Sequence, residues 1–373
     1  MNWADYLIPA KIGFANHAGF VVYNGEPTFN LPESTKIAFI GIPEDRFSEG
    51  AGEIKSPGFV RKQMYALSSG TLGTVVDMGN IRTGKTLTDT YYCIRDLVSE
   101  LYRRNIVTLL IGGTMDLSFG NYLAMQGEQI VMTNISPLLR FREGEKHPLN
   151  KLTFTPPPIT SHLSPTICNV GYQSYYVSQD ELDYFSDRYY EAYRLGEIRS
   201  DDLRGSEPII RDSDLVSISM NVVKHSDAPA ASISSPSGFT GEEICQLAFF
   251  AGLSHKCRSL GIYDMLTQND MQNITAKLAA QMAWYFIEGV KKRNTDHPKD
   301  NEQNFKKYII YFDQLHHDLC FFKNIITERW WMEVPSITNI EKNLIISCTP
   351  EDYLRATEKE IPDRWWKTYQ RIN

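Results

Sequence analysis

The chain has 373 residues, of which 42% are hydrophobic and 22% charged. That length and balance suit a soluble globular protein with a large core, and exclude disorder as the main state. With 38 Lys and Arg against 45 Asp and Glu, the net charge is −7, and no basic stretch marks a nucleic-acid binder.

The elements follow in chain order. Lys36 to Ile42 is a short apolar run closed by Pro43, as a buried parallel strand is. Gly58 to Leu67 is a helix opened by Ser56-Pro57. Thr74 to Met78 is a second strand, Thr88 to Arg104 an amphipathic helix, and Ile106 to Ile111 a third strand ending at Gly112-Gly113. Gln129 to Thr133, Thr166 to Tyr172 and Leu215 to Asn221 read as further strands. Thr240 to Ser259 is a helix with a capping box from Thr240 to Glu243, Leu260 to Asp264 a strand, and Asp270 to Val290 a long amphipathic helix.

Alternation of this kind predicts a three-layer αβα domain around a mostly parallel sheet over residues 1–303. Sites in such sheets form beyond the carboxyl ends of the strands. From Asn304 onward the chain changes character: Trp330-Trp331, Trp365-Trp366 and many Phe and Tyr mark an aromatic C-terminal extension, 304–373, with one strand at Asn343 to Cys348 and a helix from Pro350. Packing on the main domain is the first expectation for the tryptophans. A partner or subunit interface is the second, since Trp and Arg are common hot spots.

Six scattered cysteines without a CxxC pair read as free thiols in a reducing compartment. The N-terminus lacks the pattern of a signal peptide, and no apolar run approaches ~18 residues. The expected location is the cytoplasm, with no membrane partner.

The ordered motifs resemble the ureohydrolase superfamily of arginases, agmatinases and formiminoglutamases. Gly41-Ile42-Pro43, Gly50-Ala51-Gly52, Ser56-Pro57 and Arg61 are similar to its opening segment, and Asp77-Met78-Gly79-Asn80-Ile81 to its D-x-G-D-I strand end. LLIGGTMDLSFG resembles the GGDHSLS strand, and NVGYQ a later strand. Ala228-Pro229, Ser235-Pro236, Gly238 and Glu243 follow a downstream pattern, and Asp264 with Asp270 resembles E-x-N-P-x-x-D. The stretch ending in Leu138-Leu139-Arg140 looks closest to formiminoglutamases.

The resemblance implies an arginase-like fold, frequent oligomers, and two Mn²⁺ ions bridging a hydroxide that attacks a guanidinium or formimino carbon. Carried over residue by residue, the metal ligands are missing. The positions fall on Met115, Asn134, Ser136, Leu138, Ser219 and Asn221, none of which offers a carboxylate or an imidazole. Asp116 and Asp264 remain as candidates for a polar pocket, Asp264 standing where the family has a glutamate that contacts the substrate.

The expectation drawn from this is a non-catalytic relative, with no cofactor, serving as a binding or assembly protein that joins an unknown protein partner or itself. The first alternative is a Mn-dependent hydrolase of formimino or guanidino C–N bonds. A second is nucleotide binding at Gly79 to Thr86, whose G-x-x-x-x-G-K-T spacing (Gly79, Gly84, Lys85, Thr86) matches a phosphate loop. His147, His162 and His316-His317 are expected to be ordinary solvated or capping residues.

Overall fold

The computed structural model describes all residues except 12, 14–18, 47–54, 68–74, 126–129, 140–164, 295, 313–316 and 338–342. The five-residue runs IAFIG, VTLLI, LVSIS and SLGIY are wholly buried, which only the middle of a sheet covered on both faces allows. They form β1 (Ile37–Gly41), β3 (Val107–Ile111), β7 (Leu215–Ser219) and β8 (Ser259–Tyr263). With β2 (Val75–Ile81), β4 (Val131–Ile135), β5 (Thr166–Tyr172) and β6 (Glu191–Arg194) they give the order β2-β1-β3-β8-β7-β4-β5-β6, parallel throughout. Two short N-terminal strands, Leu7–Ile8 and Val21–Val22, pair with β2, the first antiparallel.

Successive strand residues serve opposite layers. Leu109 and Ile111 belong to one apolar cluster with α1 (Ser56–Ala66), α7 (Gly241–Leu253) and α8 (Ile274–Lys291). Leu110 belongs to the other, with α2 (Leu87–Arg103). Capping boxes start α2 at Thr86 and α7 at Thr240. Helix α7 stops at Leu253, short of the predicted Ser259, and a loop leads into β8. Glycine sets how closely α7 and α8 approach: a Cβ on Gly252 would lie 2.2 Å from the carbonyl oxygen of Phe286.

The first βα unit is held by a buried ion pair. Arg61 Nε donates to Asp77 at 2.6 Å, and Tyr65 donates to the same carboxylate at 3.0 Å. Two of the family-like motif residues therefore serve the fold.

The C-terminal part holds more strand than its sequence predicts. In place of one strand it forms an antiparallel sheet, β9 (Phe305–Phe312), β10 (His317–Asn324), β11 (Trp330–Val334) and β12 (Leu344–Cys348), followed by α9 (Pro350–Thr357) and α10 (Asp363–Ile372). Phe312, Phe321, Trp330, Met332 and Trp365 make its own core. Arg364 of α10 fastens this part to the body. It is bonded to Glu191 of β6 at 3.0 Å and to Asp212, just after α6 (Ser206–Arg211), at 3.0 Å.

The two tryptophan pairs differ in exposure. Trp330 and Trp331 are both buried, because Trp331 lies under Arg211 while Trp330 joins the sheet's own core. Trp365 and Trp366 stand on a helix; Trp365 is buried and Trp366 is 40% exposed. As an interface, Trp330, Trp331 and Trp365 are thus already used within the chain.

Candidate functional site at the strand ends

Beyond β3 the chain turns on Gly112 and Gly113, at φ of 101° and 72°. A Cβ on Gly112 would strike the Ile42 carbonyl at 2.8 Å and Pro57, so the turn needs glycine. The turn delivers Met115 into a 3-10 turn, Met115–Leu117, where it is buried in the same cluster as Leu117.

Asp264, one residue past β8, gathers three strand ends. It sits at φ 65°, a conformation rare for a residue with a side chain. The Met115 N–H donates to its Oδ1 at 3.1 Å, and the Ser219 hydroxyl donates to its Oδ2. Its backbone N–H donates to the Gly113 carbonyl at 2.8 Å. Three sequence candidates, Met115, Ser219 and Asp264, therefore meet. Asp116 lies beside them but is held from the α2 side, by the Tyr91 hydroxyl at 2.8 Å and the Thr114 hydroxyl. Both carboxylates are 1% exposed.

Asn221 closes the adjoining loop. Its Oδ1 accepts from Ser232 Oγ at 3.0 Å and from the Ile233 N–H at 2.7 Å, while its Nδ2 finds no partner among the described residues. Ser136 is buried and its hydroxyl accepts from the Leu138 N–H at 3.2 Å; Leu138 itself is half-buried. Asn134 is in register with Asn169 on β5 and with Ser217 on β7. The amide oxygens of both asparagines and the Ser217 hydroxyl lack partners among the described residues. Parallel partners point to one face, so the three form a polar row beneath the strand ends. Asn169 and Ser217 escaped the sequence reading; the one signal was a polar residue inside an otherwise apolar strand.

These residues do not fit a pair of manganese ions. The six ligand positions carry a thioether, amides, hydroxyls and an alkyl chain, all neutral. Among the described residues, no three of His, Cys, Asp or Glu come together in a group that could hold a metal ion. His147 and His162 lie outside the described residues.

The phosphate-loop reading of Gly79 to Thr86 does not hold. Gly79 is inside β2 and donates to Asp77 at 2.8 Å. Gly84 donates to Thr90 Oγ1, and Thr86 donates to Asp89 Oδ2 at 2.8 Å. The Gly79, Arg82, Gly84 and Thr86 amides are thus bonded within the chain, and the Asp89 carboxylate stands at the helix start where the anion would sit. Lys85 is exposed.

A parallel sheet with helices on both faces, and a glycine turn and buried acid at its strand ends, defines a three-layer α/β protein of the arginase type. The sequence profile of the Arginase family matches residues 35–288, and the chain belongs to that family. It is 26% identical over 251 residues to a formimidoylglutamase of Staphylococcus carnosus, covering 63% of this chain and 79% of that protein. It is 24% identical over 289 residues to a formimidoylglutamase of Staphylococcus haemolyticus, covering 71% and 89%. Its fold matches Trypanosoma cruzi formiminoglutamase with Mn²⁺, at a TM-score of 0.63 and 19% identity over 72% of this chain and 97% of that one.

These relatives correct the expectation of a non-catalytic binding or assembly protein. Both curated relatives carry the name of a hydrolase and align over most of their length, so the lineage is an enzymatic one.

Proposed function

We propose that this chain is a hydrolase of formimino or guanidino C–N bonds, of the formiminoglutamase kind. The observation that carries the reading is the breadth of the family match: it runs from just before β1 into the last turn of α8. This reading assigns the reaction to the carboxyl ends of β3, β4, β7 and β8, where sheets of this type bind ligands.

Because the donors there do not fit two manganese ions, no step is drawn through metal. The chain's own groups at this end are hydrogen-bonding ones. The Asn134 oxygen is open to an N–H donor, the Asn221 Nδ2 is open to an acceptor, and Asp264 brings a carboxylate to the end of β8. A formimino or guanidino group is planar and rich in N–H donors, which suits amide and carboxylate acceptors. All six cysteines are free, four of them buried, and burial raises the Cys168 and Cys257 thiols; this supports a reducing compartment such as the cytoplasm. Among the described residues no helix is long and apolar enough to cross a membrane.

The test is turnover of N-formimino-L-glutamate, L-arginine and agmatine by the purified chain, with and without added Mn²⁺, read as formamide or urea released. Release above the uncatalysed rate, lost in Asp264→Ala and Asn134→Ala, supports the proposal. A folded protein that releases neither product under either condition overturns it.

A further inference from the structure

The seam between the body and the C-terminal sheet holds an open cleft of about 420 Å³. That lies within the range of ~300–1,000 Å³ typical of small-molecule pockets, which favour domain boundaries. Its apolar wall includes Pro208, Phe250 and Trp330. Its charged lining includes Arg204, Arg211 and Arg329 and the acids Asp201, Glu207 and Glu351.

The three arginines are not alike. Arg329 is neutralised, paired with Asp296 at 2.9 Å and with Glu207 at 3.3 Å. Arg204 is exposed on the rim. Arg211 is 7% exposed and its guanidinium lies 4.2 Å over the Trp331 ring. Its Nη2 donates to the Trp330 carbonyl at 2.9 Å and shares Glu207, at 3.6 Å, with Arg329. Nε and Nη1 of Arg211 donate to nothing among the described residues. The Thr327 hydroxyl, on the same cavity, is also without a partner among them. A buried guanidinium with two idle donors is costly unless an acceptor meets it. The acids Asp201 and Glu351, both exposed, give the opening negative charge as well.

We propose that this seam pocket binds a small zwitterion of the α-amino-acid class, its carboxylate answered by Arg211 and Arg204, its ammonium by the rim acids, and an apolar side chain lying against Phe250 and Trp330. The pocket is built half from the α/β body and half from the C-terminal part, so its occupant bridges the two. The site is separate from the strand ends discussed above and does not depend on the reaction proposed for them.

Three probes of one shape separate the charges: L-phenylalanine, 3-phenylpropanoate, which lacks the ammonium, and 2-phenylethylamine, which lacks the carboxylate. Titration calorimetry on the full chain is expected to give saturable binding of L-phenylalanine, roughly threefold weaker binding of 3-phenylpropanoate, and roughly tenfold or weaker binding of 2-phenylethylamine. Arg211→Met, which keeps the packing over Trp331, weakens L-phenylalanine by roughly tenfold, and Arg204→Ala, on the exposed rim, by roughly threefold. Should Arg211→Met not fold, Arg204→Ala alone carries the test. The proposal is overturned by the absence of saturable binding up to ~10 mM, by equal affinity for all three probes, or by a folded Arg204→Ala that binds as well as the parent chain.

Discussion

The strand ends of the body and the seam beside the C-terminal sheet dispose of buried charge in opposite ways. At the strand ends, each carboxylate is surrounded by donors from its own chain: Asp264 by Met115 and Ser219, Asp116 by Tyr91 and Thr114. At the seam, Arg211 keeps two donors with no acceptor among the described residues. One place answers its buried carboxylates with neutral donors from its own chain. The other holds a charge that its neighbours only partly answer. The lesson is that a family's usual site and the part of the molecule readiest for a ligand need not coincide.

The largest effect expected from breaking this arrangement is at the clasp that makes the seam. Arg364 stands between Glu191 and Asp212, and both carboxylates are largely buried. Arg364→Met leaves them facing each other, at a cost of ~3–5 kcal/mol in urea denaturation. The pH dependence sharpens the point. Burial pushes the Asp212 carboxyl up, but the charges of Arg364 and Lys256 and the Ser347 hydroxyl outweigh it and hold the group below its ordinary value. Its stabilising share is present above the unfolded value of ~4 and is lost as pH falls through the lower folded one. In Arg364→Met burial dominates, so the variant gains stability on mild acidification, where the parent chain does not.

Asp264→Ala comes next. It leaves the Met115 N–H and Ser219 hydroxyl without their acceptor and keeps a Cβ at a positive φ, for an expected loss of ~2–4 kcal/mol. Asp264→Asn retains an acceptor and tolerates the conformation, so it should lose less than half as much; equal losses would mean that the carboxylate charge, not the bonding, holds the strand ends. Added manganese offers a contrast at the same place. With neutral groups at all six ligand positions, incubation with Mn²⁺ is expected to leave the melting temperature unchanged, and a rise of several degrees would show that a metal is held after all.

Much of this architecture was legible in the chain. Short apolar runs ending in Gly or Pro marked the buried strands, and T-G-E-E marked the start of α7, because these signals are local and physical. The C-terminal sheet was not legible. In FKKYIIYF and WWMEV, aromatic residues alternate with others only loosely, and antiparallel pairing is decided by partners far along the chain. At the site, the replacement of carboxylates could be read directly from Asn134, Leu138, Ser219 and Asn221, and that of an imidazole from Met115. What replaced the metal could not. The union of Met115 and Ser219 on Asp264 spans 149 and 45 residues and depends on the order β3-β8-β7.

The smallest effect separates a motif from its context. Lys85→Ala removes the residue that a phosphate loop needs most. Here Lys85 is exposed, and the loop around it is closed by Asp77, Asp89 and Thr90. The substitution should change stability by less than ~0.5 kcal/mol, as exposed positions generally do, and isothermal titration with ATP should give no heat in either form. The stronger variant is Asp89→Ser. It removes the carboxylate from the start of α2 while keeping a short capping oxygen there. If the sequence pattern alone conferred phosphate binding, clearing that anion would reveal it. The expected result is a modest loss of helix stability and still no nucleotide bound, since Gly79 remains locked inside β2 by its bond to Asp77.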